Sequence, residues 1–403
     1  MDGTQPSKGV RQDIYARALA LEDNTGSRAL LLTLDLVSID AATAKAIAQG
    51  AQDRFGLSRD RLMINVSHTH SGPVAGLTIM PMYDDLPPSQ LATIRRYTDQ
   101  LVEKALATIG QAIERLQPAS LSFGQGLAGI AVNRRRVADR SRPGTIDPDV
   151  PVLAIRTPAG ALAGIMIGYA THATALNDYL ISGDWPGFAL EQIERNHPGA
   201  TALFIQGCGA DANPLPRRDE ALARVHATAL AAAGDQVLAA SLSPLTGQLE
   251  TALTYVDLPF QPLPPRREWE ERSQKGDKYV RLHAHRLLQE EARDGSLPTA
   301  YAYPVQAWRF GANLTVIALG GEVVADYSLR LKQKFGFTTT WVAGYSNDVM
   351  AYIPSERVLA EGGYEAGDSM IYFGRPSPFR MGVEDLILNQ VDATLALLAG
   401  AKK

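Results

Sequence analysis

Cysteine is nearly absent from this chain, which contains only Cys208. A single cysteine excludes an intrachain disulfide, and it excludes a zinc site built from several cysteine thiolates. Histidine is scarce as well, with seven residues in a chain of 403. Any metal site in this protein must therefore combine a few histidines with oxygen ligands.

The chain also lacks a strong charge imbalance and long apolar runs. Its 39 Lys and Arg against 43 Asp and Glu give a net charge of -4, whereas nucleic-acid-binding domains usually have a basic surface. No stretch approaches the roughly 20 apolar residues that span a bilayer, and the first ten residues lack the apolar core of a signal peptide. We expect a soluble protein with no nucleic-acid partner and no membrane-spanning segment, and the sequence leaves its compartment and oligomeric state open.

The order of apolar and amphipathic segments predicts an α/β fold. A strand at 28–37, a helix at 41–56 and a strand at 61–70 form a β-α-β unit. Further strands are predicted at 150–157, at 161–172 and at the starts of 201–214 and 313–336, and further helices at 91–116, 188–196 and 221–240. We predict one large domain over 1–403 with mixed β-sheets flanked by helices, and a helical insertion in the charged segment 261–295.

Two of the seven histidines stand one residue apart in the stretch NVSHTHSGP, at the end of an apolar run. Residues i and i+2 of a strand point to the same face, so the pattern places His68 and His70 in one space. Neutral imidazole is a common zinc ligand, and a catalytic zinc needs about three protein ligands and a position for water. The alternative is a pair of structural histidines that are hydrogen-bonded at a strand end.

Two more candidates stand at the ends of other apolar strands. His172 follows the strand at 161–172, and Glu322 follows two glycines after LTVIAL. A carboxylate after so apolar a run is costly unless it is paired or binds a cation. The alternatives are a satisfied structural histidine and a carboxylate at a helix N-terminus. Ligands of α/β proteins collect beyond the carboxyl ends of strands, so we expect a site there.

The ordered set SHTHSGP, AVNRR, THATALNDYLISGDWPG, FIQGCGADANP, GGE and GYSNDVMAYIP resembles the neutral/alkaline ceramidase family over about residues 9–373. That family consists of zinc amidases that cleave the N-acyl bond of ceramide. The resemblance implies a single catalytic Zn²⁺, and its ligands would be His68, His172, Glu322 and Tyr352. It also implies that His70 lies beside the reacting centre and that Arg134 binds substrate near the scissile carbonyl.

The sequence departs from the family pattern at three places. The turn in which family members carry a serine needed for activity aligns with GCGADANP, and Ala212 stands at the serine position. The immunoglobulin-like domain that follows in ceramide-cleaving members is missing, and so are the strand and turn that usually precede GVRQDIYARALAL. We therefore expect an N-terminal catalytic domain without a serine nucleophile. We also expect that the N-terminus of this sequence has been trimmed.

These observations lead to a zinc-water mechanism in which the metal activates water and polarises the carbonyl. His70 would move the proton, and Arg134 and Tyr352 would stabilise the oxyanion. Asp184 and Asp211 would orient the histidine ligands, or alternatively cap turns. The expected substrate is a small molecule such as an N-acyl lipid. The alternatives are a zinc hydrolase of an ester or carbohydrate and a non-catalytic binding protein. The resemblance alone implies an extracytoplasmic location.

Overall fold

A computed structural model describes residues 5–137 and 144–400 of the chain. In these ranges the strands, in chain order, are β1 (Gly9–Val10), β2 (Ala16–Glu22), β3 (Arg28–Leu34), β4 (Leu62–Val66), β5 (Ser120–Leu127), β6 (Ala131–Asn133), β7 (Asp149–Arg156), β8 (Leu162–Tyr169), β9 (Leu180–Ile181), β10 (Thr201–Gln206), β11 (Ala212–Pro214), β12 (Ser243–Leu245), β13 (Leu249–Pro259), β14 (Ala300–Phe310), β15 (Leu314–Leu319), β16 (Glu322–Val323), β17 (Thr340–Ala343) and β18 (Tyr352–Ile353).

The helices flank these strands, as the sequence predicted. They are α1 (Ala41–Phe55), α2 (Pro88–Glu114), α3 (Asp184–Asn196), α4 (Glu220–Ala239), α5 (Arg266–Gln274), α6 (Lys278–Asp294), α7 (Ala325–Phe335), α8 (Glu356–Glu361) and α9 (Val383–Gly400). Sequence analysis missed the long antiparallel strand pair of β13 and β14, and it missed the helix α9. Among the described residues, no helix is both long and apolar enough to cross a bilayer.

Three sheets form the body of the protein, and the prediction of one α/β domain with mixed sheets is confirmed. The sheets have the strand orders β2-β3-β4, β10-β8-β7-β5-β12 and β13-β14-β15-β17, and each contains one parallel pair. Their inner faces meet in a shared core to which Leu31, Leu153 and Trp341 contribute. Helices α1 and α2, α3 and α4, and α7 and α9 cover the outer faces. Strands buried on both faces explain the continuous apolar runs.

The buried side chain of Asn65 joins the three sheets at the carboxyl ends of their parallel strands. Its Nδ2 donates to the carbonyl of Gly344 at 2.8 Å and to Ser346 Oγ at 3.1 Å. Its Oδ1 accepts the backbone N–H of Gln206 at 2.8 Å. β4, β10 and β17 therefore end at one point, which is where the polar motifs follow.

The segment 261–295 contains two helices, α5 and α6, with a small core of their own around Trp269 and Leu287. Its side chains reach the short helical turns at Met80–Tyr83 and Asp368–Phe373, and Arg286 pairs with Asp84 at 3.1 Å. The structure thus shows the predicted helical character. That this segment is an insertion stays a prediction.

We expect the Asn65→Ala variant to be less stable by about 2–4 kcal/mol. The substitution leaves the buried N–H of Gln206 and the buried carbonyl of Gly344 without these hydrogen-bond partners. Urea unfolding would measure the difference. Asn313→Ala is the matched control, since it removes one exposed bond to the carbonyl of Pro244. Equal stability of the two variants would contradict the role of Asn65.

Candidate metal centre

His68 and His70 lie in a turn after β4, so the prediction of a strand that continues to His70 is wrong. The strand ends at Val66, and His68 has a left-handed φ of 59° that no regular strand permits. The backbone N–H of His70 then donates to the carbonyl of Ala173 at 3.2 Å. The turn still brings the two rings into one site, with 3.1 Å between their Nε2 atoms.

His172 lies three residues beyond the end of β8, against the glycine-rich turn that follows β10. Its Nδ1 lies 3.0 Å from the carbonyl oxygen of Gly209 and 3.1 Å from that of Ala212, and a ring nitrogen must donate to a carbonyl. Gly209 is required because an added Cβ would stand 2.4 Å from the backbone nitrogen of Thr171. The turn therefore fixes both the position and the tautomer of His172.

Glu322 and Tyr352 face each other on the short parallel pair of β16 and β18. Glu322 Oε2 lies 3.2 Å from His68 Nε2 and 3.3 Å from His172 Nε2. The Tyr352 hydroxyl lies 3.2 Å from His172 Nε2. The structure thus brings together all four side chains that the resemblance implied as ligands.

The hydrogen bonds of His68 and His172 leave the Nε2 atoms of both rings facing the same carboxylate oxygen, Glu322 Oε2. His68 Nδ1 donates to the carbonyl of Val37 at 2.6 Å, as His172 Nδ1 does to its own carbonyl partners. In the neutral rings both Nε2 atoms are then acceptors, and they face the acceptor oxygens of Glu322. Such contacts require a proton or a cation between the atoms. Backbone carbonyls that hold the distal ring nitrogen are typical of metal-bound histidine.

The distances between these donor atoms also fit a metal ion. Ligands about 2.0–2.1 Å from a tetrahedral zinc ion stand about 3.3 Å from one another. The measured edges are 3.2 Å from His68 to Glu322, 3.3 Å from Glu322 to His172 and 3.2 Å from His172 to Tyr352. The ring nitrogens of His68, His70 and His172 all lie within 4.8 Å of one another. This cluster could hold a metal ion.

Burial and neighbouring charges shift the pKa values of groups in this site. Burial and the nearby charge of Arg134 lower the pKa of His172 to about 4. The pKa of His70 also falls well below its usual value, because of burial and then His68 and His172, although much of its ring surface faces the open cavity. Burial opposes ionisation of Glu322, but His68 and His172 outweigh it and lower the pKa of that carboxyl. These shifts favour neutral imidazoles at His70 and His172 and an ionised carboxylate at Glu322.

Arg134 reaches the same point from the turn after β6. Its Nη2 donates to the Tyr352 hydroxyl at 3.2 Å, and its Nη1 lies 3.3 Å from His172 Nε2. Glu365 holds the guanidinium through a 2.6 Å bond to Nε. Sequence analysis missed Glu365, and it missed Tyr345, whose hydroxyl lies 3.4 Å from Glu322. Tyr345 stood within a motif already singled out, whereas nothing in EGGYEAG marked its second glutamate.

Asp184 and Asp211 do not orient the histidines, so that hypothesis is wrong and the alternative of turn capping holds. Asp184 accepts backbone N–H bonds from Ala175, Leu176 and Trp185. Asp211 accepts from the side chain of Asn133 at 2.9 Å and from the N–H of Ala325 at 3.0 Å. Carbonyl oxygens, which sequence patterns do not single out, take the distal ring nitrogens instead.

Two cavities open onto the site, and His70, Tyr352 and Tyr364 line both. The larger has a volume of about 790 Å³ and is polar. The smaller has a volume of about 480 Å³ and is mainly aromatic and aliphatic. The possible ligands therefore stand at a junction where a bound molecule can extend in two directions.

Comparison with known proteins supports the resemblance. The family model for the N-terminal part of neutral/alkaline non-lysosomal ceramidase matches residues 2–235. Neutral ceramidase of Mycobacterium tuberculosis is 29% identical over 220 residues, covering 50% of this chain and 33% of that protein. Neutral ceramidase 1 of Arabidopsis thaliana is 25% identical over 235 residues, covering 55% and 30%. The matched region thus spans about a third of these relatives.

Solved structures share the fold over nearly the whole chain. The crystal structure of neutral ceramidase from Pseudomonas aeruginosa has a TM-score of 0.74 at 20% identity, covering 97% of this chain and 70% of that one. A ceramidase complexed with C2 has a TM-score of 0.76 at 20% identity, covering 98% and 71%. The fold likeness therefore includes Glu322 and Tyr352, which lie beyond the part matched by the family model.

We expect Gly209→Ala to destabilise the protein by about 1–3 kcal/mol and to weaken metal binding, because the new Cβ displaces the turn that accepts from His172. Urea unfolding and metal titration would measure both effects. Gly129→Ala is the matched control, since its Cβ meets open space and should change stability by less than about 0.5 kcal/mol. A Gly209→Ala variant as stable as the control would refute this account.

Proposed function

Because the chain belongs to the neutral/alkaline non-lysosomal ceramidase family, we propose that it is a zinc-dependent hydrolase that cleaves a linear N-acyl amide bond. The observation that carries the proposal is the convergence of His68 Nε2, His172 Nε2 and Glu322 Oε2 beside a cavity that Arg134 and His70 line. We propose that residues 1–403 act as one zinc hydrolase domain, with His68, His172, Glu322 and Tyr352 as the ligands.

The donor set favours zinc over the other common catalytic ions. Two imidazole nitrogens with a carboxylate and a phenol oxygen suit a borderline ion with tetrahedral preference. Magnesium and calcium prefer oxygen ligands in larger coordination shells. When bound, zinc lowers the pKa of a coordinated water toward about 7 and polarises the scissile carbonyl.

The side chains around the site supply the remaining chemistry. His70 is neutral and open to the cavity, so it can accept the proton of the attacking water and pass it to the leaving amine. Arg134 directs its guanidinium toward the site while Glu365 holds it in place. Burial raises the pKa of Tyr352, so the phenol keeps its proton when it is not a ligand. Arg134 and Tyr352 are thus donors for the developing oxyanion.

Water is the proposed nucleophile because Ala212 stands where the family pattern has a serine. Ala212 is fully buried in β11, where it pairs with Asn133, and its carbonyl accepts from His172. The residue thus supports His172 through its backbone, and its methyl group offers no hydroxyl. An amide hydrolase of this kind requires only water, the metal and a proton carrier.

The metal content of the purified protein tests the proposed ligands. Purified protein should hold close to one zinc per chain by elemental mass spectrometry, and His68→Ala and Glu322→Gln should each weaken zinc binding at least about tenfold, because each removes a donor atom. His285→Ala, which removes an exposed histidine of α6, should leave zinc content unchanged. Wild-type protein that stays free of zinc after zinc is supplied would overturn the metal proposal.

A variant of His70 tests the proposed proton transfer. His70→Gln should lower kcat for hydrolysis of short-chain N-acyl amides by about 100- to 10,000-fold while zinc content stays near one per chain. Amine release and elemental analysis of the same preparation would measure both. His285→Gln is the control. Full activity in zinc-loaded His70→Gln would exclude His70 as the proton carrier.

A further inference from the structure

The larger cavity beside the site contains more positive than negative side chains. Its charged lining, among the residues that the structure describes, is five arginines and two glutamates, namely Arg134, Arg135, Arg136, Arg217, Arg218, Glu361 and Glu365. Glu365 pairs with Arg134 and Arg135, while Glu361 pairs with Arg135 and Arg136. These two carboxylates are therefore fully engaged with the first three arginines.

Arg217 and Arg218 have no carboxylate within ion-pair distance among the described residues. Arg217 instead donates from Nη1 to Thr174 Oγ1 at 2.9 Å, two residues after the proposed ligand His172. Its guanidinium is partly buried, and the pKa falls because of burial and then the charges of Arg218 and Arg134. A partly desolvated guanidinium among like charges is unfavourable unless an anion joins it.

The loop that carries these arginines is fixed in place by its backbone. The N–H groups of Arg218 and Asp219 both donate to the carbonyl of Ala175, and Asp219 then caps α4 by accepting from Ala221. The arginines thus extend from a braced turn beside the site rather than from a free surface loop. The bond to Thr174 also orients the guanidinium of Arg217, which therefore loses little freedom when it binds an anion, whereas the side chain of Arg218 is exposed.

The smaller cavity, on the other side of the site, has the opposite character. Ile79, Met82 and Phe373 line it together with a tyrosine cluster in which Tyr364 contacts Tyr352 and Tyr372 at ring separations of 5.3 and 6.1 Å. Within the described part of the chain, its one carboxylate apart from Glu322 belongs to Asp178, which pairs with Arg11 at 2.6 Å. A volume of about 480 Å³ suits a hydrocarbon or aromatic group.

From these two cavities we infer that the substrate is an N-acyl compound whose amine portion carries an anionic group, carboxylate or phosphate. The acyl chain occupies the tyrosine-lined cavity, the anion meets Arg217 and Arg218, and the amide lies between them at His70 and Tyr352. A neutral ceramide with two hydrocarbon chains would leave both guanidinium groups unmatched. This inference rests on the proposed function and specifies its substrate class.

Matched substrates test the preference for an anion. The zinc-loaded protein should hydrolyse N-octanoylglycine with a kcat/KM at least about tenfold above that of neutral N-octanoylglycinamide, or N-octanoyl phosphoethanolamine by the same factor above N-octanoylethanolamine. The difference should lie mainly in KM, because the anion binds away from the reacting carbonyl. The pair with the larger ratio distinguishes carboxylate from phosphate. Equal rates within both pairs would overturn the inference.

Variants assign the preference to the two arginines. The double variant Arg217→Gln/Arg218→Gln should lose the preference for the anionic member of the pair while it keeps its zinc. Arg267→Gln/Arg293→Gln removes the same net charge from exposed positions of α5 and α6 and should keep the preference. A preference that survives in the first double variant would show that other groups bind the anion.

Binding to metal-free protein separates this inference from the proposed function. Without metal no hydrolysis is expected, so calorimetry can compare N-octanoylglycine with its amide at equilibrium. Tighter binding of the anion, lost in Arg217→Gln/Arg218→Gln, would support the anion site even if the loaded protein cleaved none of these amides. Equal affinities for N-octanoylglycine and its amide would exclude the anion site at Arg217 and Arg218, even if the protein proved to be an amidase.

Discussion

The buried amide of Asn65 is the contact on which the rest of the site depends. One side chain bonds the end of β10 through Gln206 and the segment after β17 through Gly344 and Ser346, while its own backbone belongs to β4. A buried amide binds its partners only in one orientation, since its oxygen accepts and its nitrogen donates. The three sheets therefore meet in one register, and the turns that follow them start from fixed points.

The turns that carry the histidines start from that junction, and backbone bonds fix the positions of their rings. His68 is bonded to the carbonyl of Val37, which follows β3, and His172 to carbonyls that follow β10, so the ring positions come from the backbone of two sheets. Glu322 lies on β16, which follows β15 of the third sheet and pairs with β18 in a two-stranded sheet. Backbone contacts from three sheets thus hold these acceptor atoms close together. Preorganisation of this kind is what a tight metal site needs.

The sequence predicted this site better than it predicted the elements around it. Apolar strands that end in polar motifs indicated that His68, His172 and Glu322 would meet, and the family resemblance added Tyr352. The structure brings these four side chains together. The strand rule for i and i+2 nonetheless failed at His68, because a left-handed residue is not visible in composition. The antiparallel pair of β13 and β14 escaped detection because β13 is only partly buried and β14 contains polar residues at buried positions, which weakens the apolar signal. Backbone carbonyls, and not the predicted aspartates, accept from the Nδ1 atoms of the histidines. Every residue type has such a carbonyl, so the sequence does not mark these partners.

The proposed metal ligands and the proposed anion-binding arginines come from different parts of this fold. The proposed ligands stand at sheet ends that a common core fixes, whereas Arg217 and Arg218 stand on a turn before α4 and the tyrosines on the segment after α8. Turns accept substitutions that would disrupt a strand buried on both faces, so the cavity walls can vary while the donor cluster stays intact. Ala212 shows the limit of that freedom, because its carbonyl is committed to His172 while its side chain is not. A shared fold does not determine a substrate, so the proposed substrate class rests on the charged and apolar side chains that line the two cavities.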